Sequence, residues 1–285
     1  MKFHFIRQHS RRYRVRTLCR ALGVSLSGYY AWLRRPESRR GREDRRLLHQ
    51  IRVIHRQSRR TYGSRRIHRE LRARGIGCGK NRVARLMRED GLRAKSPRRF
   101  KVTTQSAAGR TVAPNLLNRE FEVTTLDTVW AGDLTYIWTQ EGWLYLAVLM
   151  DLCSRYIVGW ALRERLAGQL TLDALDMALE QRQPGPGLMH HSDRGSQYTA
   201  DDYQEQLRRR GFEVSMSRRG DCYDNAPLES FYATLEKDLL CDADFTTRRQ
   251  ARAAIFDYIE AFYNRQRRHS ALDYLSPAQF EQEAA

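Results

Sequence analysis

Asp133, Asp193 and Glu229 are the residues whose types and spacing suggest chemistry. Asp133 interrupts the apolar run TVWAGDLTYIW, Asp193 closes GLMHHSD, and Glu229 lies in NAPLESFYATLEKDLL. Fifty-nine residues separate the first pair and 35 the second. Carboxylates are hard oxygen ligands, and magnesium needs only one or two of them when phosphates supply the rest. Two such ions, roughly 3.5–4 Å apart, can hold the attacking and leaving oxygens of an in-line displacement at phosphorus. An aspartate within an apolar strand is costly unless it is paired or metal-bound. Each acid alone reads as a cap or a surface charge. The three together predict a metal site that cuts phosphodiesters.

The elements that must position them are strands and helices in alternation. TVWAGDLTYIWT, WLYLAVLMDLCS and YIVGWAL are rich in β-branched and aromatic residues, and Gln140-Glu141-Gly142 forms a turn between the first two. A helix follows, with Leu170, Leu172, Leu175, Ala178 and Leu179 apolar. Leu188–His191 reads as a short buried strand that delivers Asp193 at its carboxyl end, a usual place for ligand sites. A helix near 200–210, a strand over Phe212–Met216 and a Gly220 loop lead to the helix of Glu229. Asp224 or Asn225 is its expected cap, and Pro227 sits in its first turn. The order β-β-β-α-β-α-β-α predicts a mixed sheet with helices on both faces. Asp151 and Arg155 are expected to support the sheet edge, and His191 is expected to be structural.

The N-terminal part is different. Residues 1–110 hold 33 Lys and Arg against 6 Asp and Glu, whereas residues 111–285 hold 18 against 27. The whole net charge of +18 therefore resides in the first part. Arginine dominates it, and its planar fork suits phosphates. In residues 13–36, Val15, Leu18, Cys19 and Leu22 share a stripe, Gly23 breaks the helix, Ser25 or Ser27 caps the next, and Pro36 ends it. This is helix-turn-helix patterning, in which the second helix enters the major groove. PESRRGREDRR reads as a charged linker. Three more helices follow over 47–95, with Leu47, Ile51, Ile54, Ile67, Leu71, Val83, Leu86 and Met87 as their apolar positions. Arg65 and Arg66, and then Arg82, Arg85 and Arg88, are placed to contact phosphates beside the packed faces. Residues 96–123 show no period and read as an extended linker.

Five scattered cysteines (Cys19, Cys78, Cys153, Cys222, Cys241) form no CxxC pair and predict reduced thiols. The start MKFHFIRQHSRRYRV lacks the apolar stretch of a signal peptide, and no run is long enough to span a membrane. A cytoplasmic, soluble protein is expected. The predicted organisation is a helix-turn-helix segment (1–40), a second helical DNA-binding module (46–95), a linker (96–123), a catalytic core (124–240) and a C-terminal helical segment (241–285).

The segments VWAGDLTYI, HSDRGSQY, MSRRGDCYDNAPLESFYATL and YNRQRRHSALDYLSP, with ALGVSLSGYYAWLRR near the start, resemble the second-frame transposases (OrfB) of two-reading-frame bacterial insertion sequences. These carry the D,D(35)E signature shared with retroviral-type integrases. The resemblance implies a five-stranded RNase H-like core, with Asp133 and Asp193 on adjacent strands and Glu229 on a flanking helix. It implies that these three acids hold two Mg²⁺ or Mn²⁺ ions. It also implies double-stranded DNA as the partner, both terminal inverted repeats and target, with a homo-oligomer assembled on DNA and a first-frame product as fusion or partner. The reaction implied is nicking of an element end followed by its joining to a new phosphodiester, with no covalent protein–DNA intermediate. One departure stands out. The pattern usually puts a cation seven residues after the catalytic Glu, but here that residue is Glu236, and Lys237 follows it roughly 80° around the helix. Lys237, Arg265 and Arg268 complete the candidate DNA contacts. The competing reading is a sequence-specific DNA-binding regulator with a degenerate, non-catalytic core, which would not need three intact acids.

Overall fold

A computed structural model describes residues 1–35, 38–95, 113–218 and 222–284. The chain divides into two compact units, Met1–Val53 and Ile54–Ala285.

In the first unit, α1 (Lys2–His9), α2 (Val15–Ala21) and α3 (Leu26–Arg34) share a small core. Ile6, Cys19 and Tyr29 are buried at its centre, with Phe3, Val15, Leu18, Leu22 and Trp32 packed around them. The apolar stripe of α2 thus faces inward as its spacing requires. Gly23 turns the chain at φ +61°, and Ser25 caps α3 by accepting from the Gly28 N–H at 3.0 Å. Two features differ from the sequence reading. Residues 2–9 form a third helix, which contributes Ile6 and Phe3. The charged stretch read as a linker is helical from Arg39 within α4 (Arg39–Gln57), where Arg39 pairs with Glu43 one turn on at 3.1 Å. Pro36 lies outside the described residues.

In the second unit, α5 (Ser64–Ala73) and α6 (Lys80–Glu89) bury Ile67, Leu71, Val83, Leu86 and Met87. Gly75 and Gly91 follow these helices at φ +75° and +71°, the left-handed geometry that ends a helix. Residues 96–112 of the expected linker lie outside the described residues. Its remainder is docked: the Leu116 and Leu117 N–H groups both donate to Ser215 Oγ, and Leu117 is buried.

The core sheet comprises β1 (Val129–Thr139), β2 (Gly142–Asp151), β3 (Ile157–Arg163), β4 (Met189–Ser192) and β5 (Glu213–Met216), in the order β3-β2-β1-β4-β5. The β1–β2–β3 meander is antiparallel, and β4 and β5 add in parallel. The crossover helices α7 (Gln169–Arg182) and α8 (Asp201–Arg209) help to cover a core of Trp130, Leu149, Val158, Leu175, Leu179, Tyr203, Leu207 and Phe212. At Gly159 a Cβ would stand 2.2 Å from the Ala174 carbonyl oxygen, so α7 lies directly on the β3 backbone. The chain closes with α9 (Ala226–Asp238), α10 (Arg248–Phe256), a π-helical stretch Asp257–Tyr263, and α11 (Pro277–Ala284). Asp151 ends β2 fully buried, accepting N–H bonds from Asp127, Cys153 and Ser154, which fixes the turn into β3. Arg155 in that turn donates to the Phe121 carbonyl at 3.0 Å. No described helix is long and apolar enough to cross a membrane.

Candidate active site

The parallel ladder between β1 and β4 runs only from Val129↔Met189 to Gly132↔Ser192. Asp133 is the next residue of β1 and Asp193 the first residue past β4, so both aspartates emerge together where the ladder stops. Each has one local partner: the Leu134 N–H donates to Asp133 Oδ1 at 2.8 Å, and the Gly195 N–H donates to Asp193 Oδ1 at 2.8 Å. A Cβ on Gly195 would lie 2.8 Å from that same oxygen, so a side chain there would displace the carboxylate. Gly132 is similarly hemmed in by Leu149, Tyr198 and His190 at 3.0–3.3 Å.

Glu229 sits half-buried in the first turn of α9. Two side chains pin this helix start to β1. The Tyr232 hydroxyl donates to the Asp133 carbonyl at 2.7 Å, and Asn225 Nδ2 donates to the Gly132 carbonyl at 3.3 Å. The expected cap is corrected here, because Asn225 makes no side-chain cap bond. Its amide reaches across to the strand. Asp224 is also otherwise engaged: it accepts from Asn115, from Arg119 Nε, and from the N–H and guanidinium of Arg218 at 2.7–2.9 Å.

The electrostatics follow from this placement. Burial lifts the Asp133 carboxyl well above the usual carboxylate range, and the neighbouring charges of Asp193 and Glu229 lift it further. Burial also raises Asp193, against the opposing Gly195 N–H. Among the described residues, neither aspartate has a salt-bridge partner. Tyr198, buried, and Tyr232, half-buried, are held neutral by loss of hydration and by the same negative charges. As placed, no three His, Cys, Asp or Glu side chains among the described residues form a ready metal cage. The donor set is nevertheless entirely hard oxygen, and its two aspartates have no salt-bridge partner among the described residues. That composition suits a magnesium-like ion whose remaining ligands come from elsewhere.

The neighbouring histidines are structural. His190 Nε2 lies 2.8 Å from the Tyr203 hydroxyl. His191 is bracketed by Ser215 Oγ at 2.8 Å and Ser217 Oγ at 3.1 Å. Burial lowers both, to about 3 and about 4, so neither carries charge at neutral pH.

Residues 125–222 and 210–277 each match an integrase core domain family, and residues 42–100 match an HTH-like domain. The chain is 50% identical over 265 residues to an insertion element IS600 31 kDa protein of Shigella sonnei, covering 93% of this chain and 97% of the relative. It is 42% identical over 283 residues to the transposase InsF for insertion sequence IS3A of Escherichia coli (strain K12), covering 99% and 98%. The chain belongs to the insertion-sequence transposases. Among solved structures, an HTLV-2 integrase catalytic core domain in complex with magnesium aligns at 16% identity and TM-score 0.41, over 54% of this chain and 95% of that one.

The basic residues expected to contact DNA in this transposase are scattered in fate. Arg65, Arg88 and Arg265 are exposed. Arg85 is half-buried in a surface pair with Glu89, Arg66 lies over the Tyr62 ring at 5.7 Å, and Arg82 is half-buried. Lys237 and Glu236 are both half-buried on α9. Arg268 is a correction. It is 9% exposed, pairs with Glu70 at 2.6 Å and donates to the Tyr274 carbonyl at 2.7 Å, so its guanidinium is spent inside the protein. Sequence reasoning missed the anchoring roles of Tyr232 and Asn225 and the clamp at Asp224. Their nearness in sequence to Glu229 was the available signal.

Proposed function

We propose that Asp133, Asp193 and Glu229 form the catalytic and metal-holding triad of a DNA polynucleotidyl transferase that nicks the ends of its element and joins them to target DNA. The observation that carries this reading is the β1–β4 register, which delivers two uncompensated aspartates to one point beside the start of the Glu229 helix. Two Mg²⁺ or Mn²⁺ ions held there would supply the positive charge that favours in-line displacement at a phosphodiester. Asp133 and Asp193 would bind them with carboxylate oxygens, and Glu229 would close the set from the helix. Tyr232 and Asn225 hold the helix start against the strand, and Tyr198 keeps the inner wall neutral and dry. No side-chain nucleophile is required, because water or a DNA 3′-hydroxyl attacks directly.

The helix-turn-helix segment over 1–40 and the helical module over 46–95 would bind double-stranded DNA at the terminal repeats, with Arg65, Arg82, Arg85 and Arg88 meeting phosphates. Residues 96–123 would link them to the core at 124–240, and 241–285 would complete the structure. Arg66, Lys237 and Arg265 are further phosphate candidates. The working form would be a homo-oligomer on DNA in the bacterial cytoplasm, fused to or partnered with a first-frame product. The test is nicking and joining of oligonucleotides that bear the element's ends, in Mg²⁺, by wild-type and Asp193→Asn protein. Loss in the variant supports the reading, and equal activity of the two proteins refutes it.

A further inference from the structure

The closing segment contains two consecutive arginines with different partners. Arg267, 4% exposed, donates from Nε to Asp238 Oδ2 at 2.7 Å, at the far end of α9 from Glu229. The Tyr258 hydroxyl donates to the same oxygen at 3.3 Å. Tyr263 stands edge-on to Phe231 of α9, with centroids 4.8 Å apart. Both tyrosines come from the π-helical stretch Asp257–Tyr263, a rare geometry that tends to occur at functional sites. Arg268 anchors the loop itself: its guanidinium pairs with Glu70 of α5, and its N–H donates to the Tyr62 hydroxyl at 2.7 Å. Lys95 adds a bond to the Asp238 carbonyl at 3.2 Å and pairs with Asp242 at 2.9 Å. The back end of α9 is therefore gripped by side chains from several directions.

We propose that Arg267, acting through Asp238, is a positioning residue for Glu229. The proposal rests on the reading of Glu229 as a catalytic acid. Asp238 and Glu229 are nine residues apart on one helix, a span of about 13 Å, and a continuous helix carries a displacement of one end to the other. A misplacement of ~1 Å at reacting groups can cost on the order of 100-fold in rate. The charge itself is not needed for this role, only a bonded pair at that place. An Asn–Gln pair therefore preserves the function, whereas a buried aspartate stripped of its cation does not.

The experiment uses the full chain with duplexes bearing the element's ends in Mg²⁺, and compares wild type, Arg267→Met, Arg267→Lys and the double variant Asp238→Asn/Arg267→Gln. Arg267→Met should nick about 100-fold more slowly per folded molecule, with its Kd for end DNA within about threefold of wild type. Arg267→Lys and the double variant should recover to within about tenfold. Amide hydrogen exchange over 226–238 should accelerate in Arg267→Met and return toward wild type in the double variant, with β2 unchanged throughout. The proposal is overturned if folded Arg267→Met nicks at the wild-type rate, or if the double variant is no better than the single one. Should Arg267→Met fail to fold, a double variant that folds but nicks 100-fold slowly overturns it. If wild-type protein shows no nicking that Asp193→Asn abolishes, the functional reading fails. Unchanged α9 exchange in Arg267→Met would then still overturn the positioning role.

Discussion

Asp133 and Asp224 are both acids in the same unit, and their surroundings are opposite. Asp224 accepts from two arginines, a backbone N–H and an asparagine, and its carboxyl is held far below the usual range, first by the Arg218 guanidinium. Asp133 meets one backbone N–H and two other acids, and its carboxyl is pushed well up. Cations were available to this part of the chain, since Arg119 and Arg218 both bond Asp224. Asp133 and Asp193, with no salt-bridge partner among the described residues, leave room for the cation that the proposed metal role requires. Asp224 shows what the fold does with an acid it needs only for structure.

Four measurements sharpen or break this contrast. The largest effect is expected for Asp133→Asn, which should lower nicking by at least about 1,000-fold, the loss of roughly 4 kcal/mol of charge stabilisation. Asp224→Ala should leave the chemistry of the acids in place but destabilise the fold by about 2 kcal/mol in urea melts. That figure is below the usual cost of breaking a buried pair, because Arg119 and Arg218 are half-exposed. A loss confined to activity, with stability intact, would erase the distinction between the two acids.

The third measurement concerns pH in metal-free buffer. Asp133 has a folded-state pKa above its unfolded value, so the folded state binds the extra proton between the two values. Stability therefore falls as pH rises through that window, and the ionised group is a burden above it. Asp133→Asn should stabilise the metal-free protein at pH 7, and the gain should vanish below about pH 4, where the unfolded carboxyl is itself protonated. A stability deficit in the variant at pH 7 would contradict the uncompensated-charge account. The smallest effect is ion binding itself. Mg²⁺ at five times its Kd should stabilise wild-type protein by about 1 kcal/mol, should do the same for Asp224→Ala, and should do nothing for Asp133→Asn.

The sheet and its acids were legible because polarity was out of place. A single Asp in TVWAGDLTYIW, and another at the end of a four-residue strand, stand out against β-branched and aromatic neighbours. The order of strands and helices was equally legible, because periods of two and 3.6 differ. What stayed hidden was partnership. Asn225 has the composition of a cap, yet its amide bonds a strand 93 residues earlier. Arg268 belongs to a basic run, yet it is neutralised by Glu70, 198 residues away. Charge alone does not tell a phosphate ligand from an internal strut, and a helix such as α4, held in part by i,i+4 pairs, looks like a linker when only apolar periods are sought.

Both rims of the sheet are occupied by parts of the chain far removed in sequence. On β3 the Asn264 side chain accepts from the Ile157 N–H at 2.9 Å and donates to the Ile157 carbonyl at 3.1 Å, standing in for one residue of an absent strand. On β5 the Met216 N–H donates to the Pro114 carbonyl at 3.1 Å. Open strand edges invite pairing between molecules. Such plugs leave fewer free backbone groups at the rims for another molecule to pair with. Trimming the chain before Asn264 would thus cost solubility as well as activity.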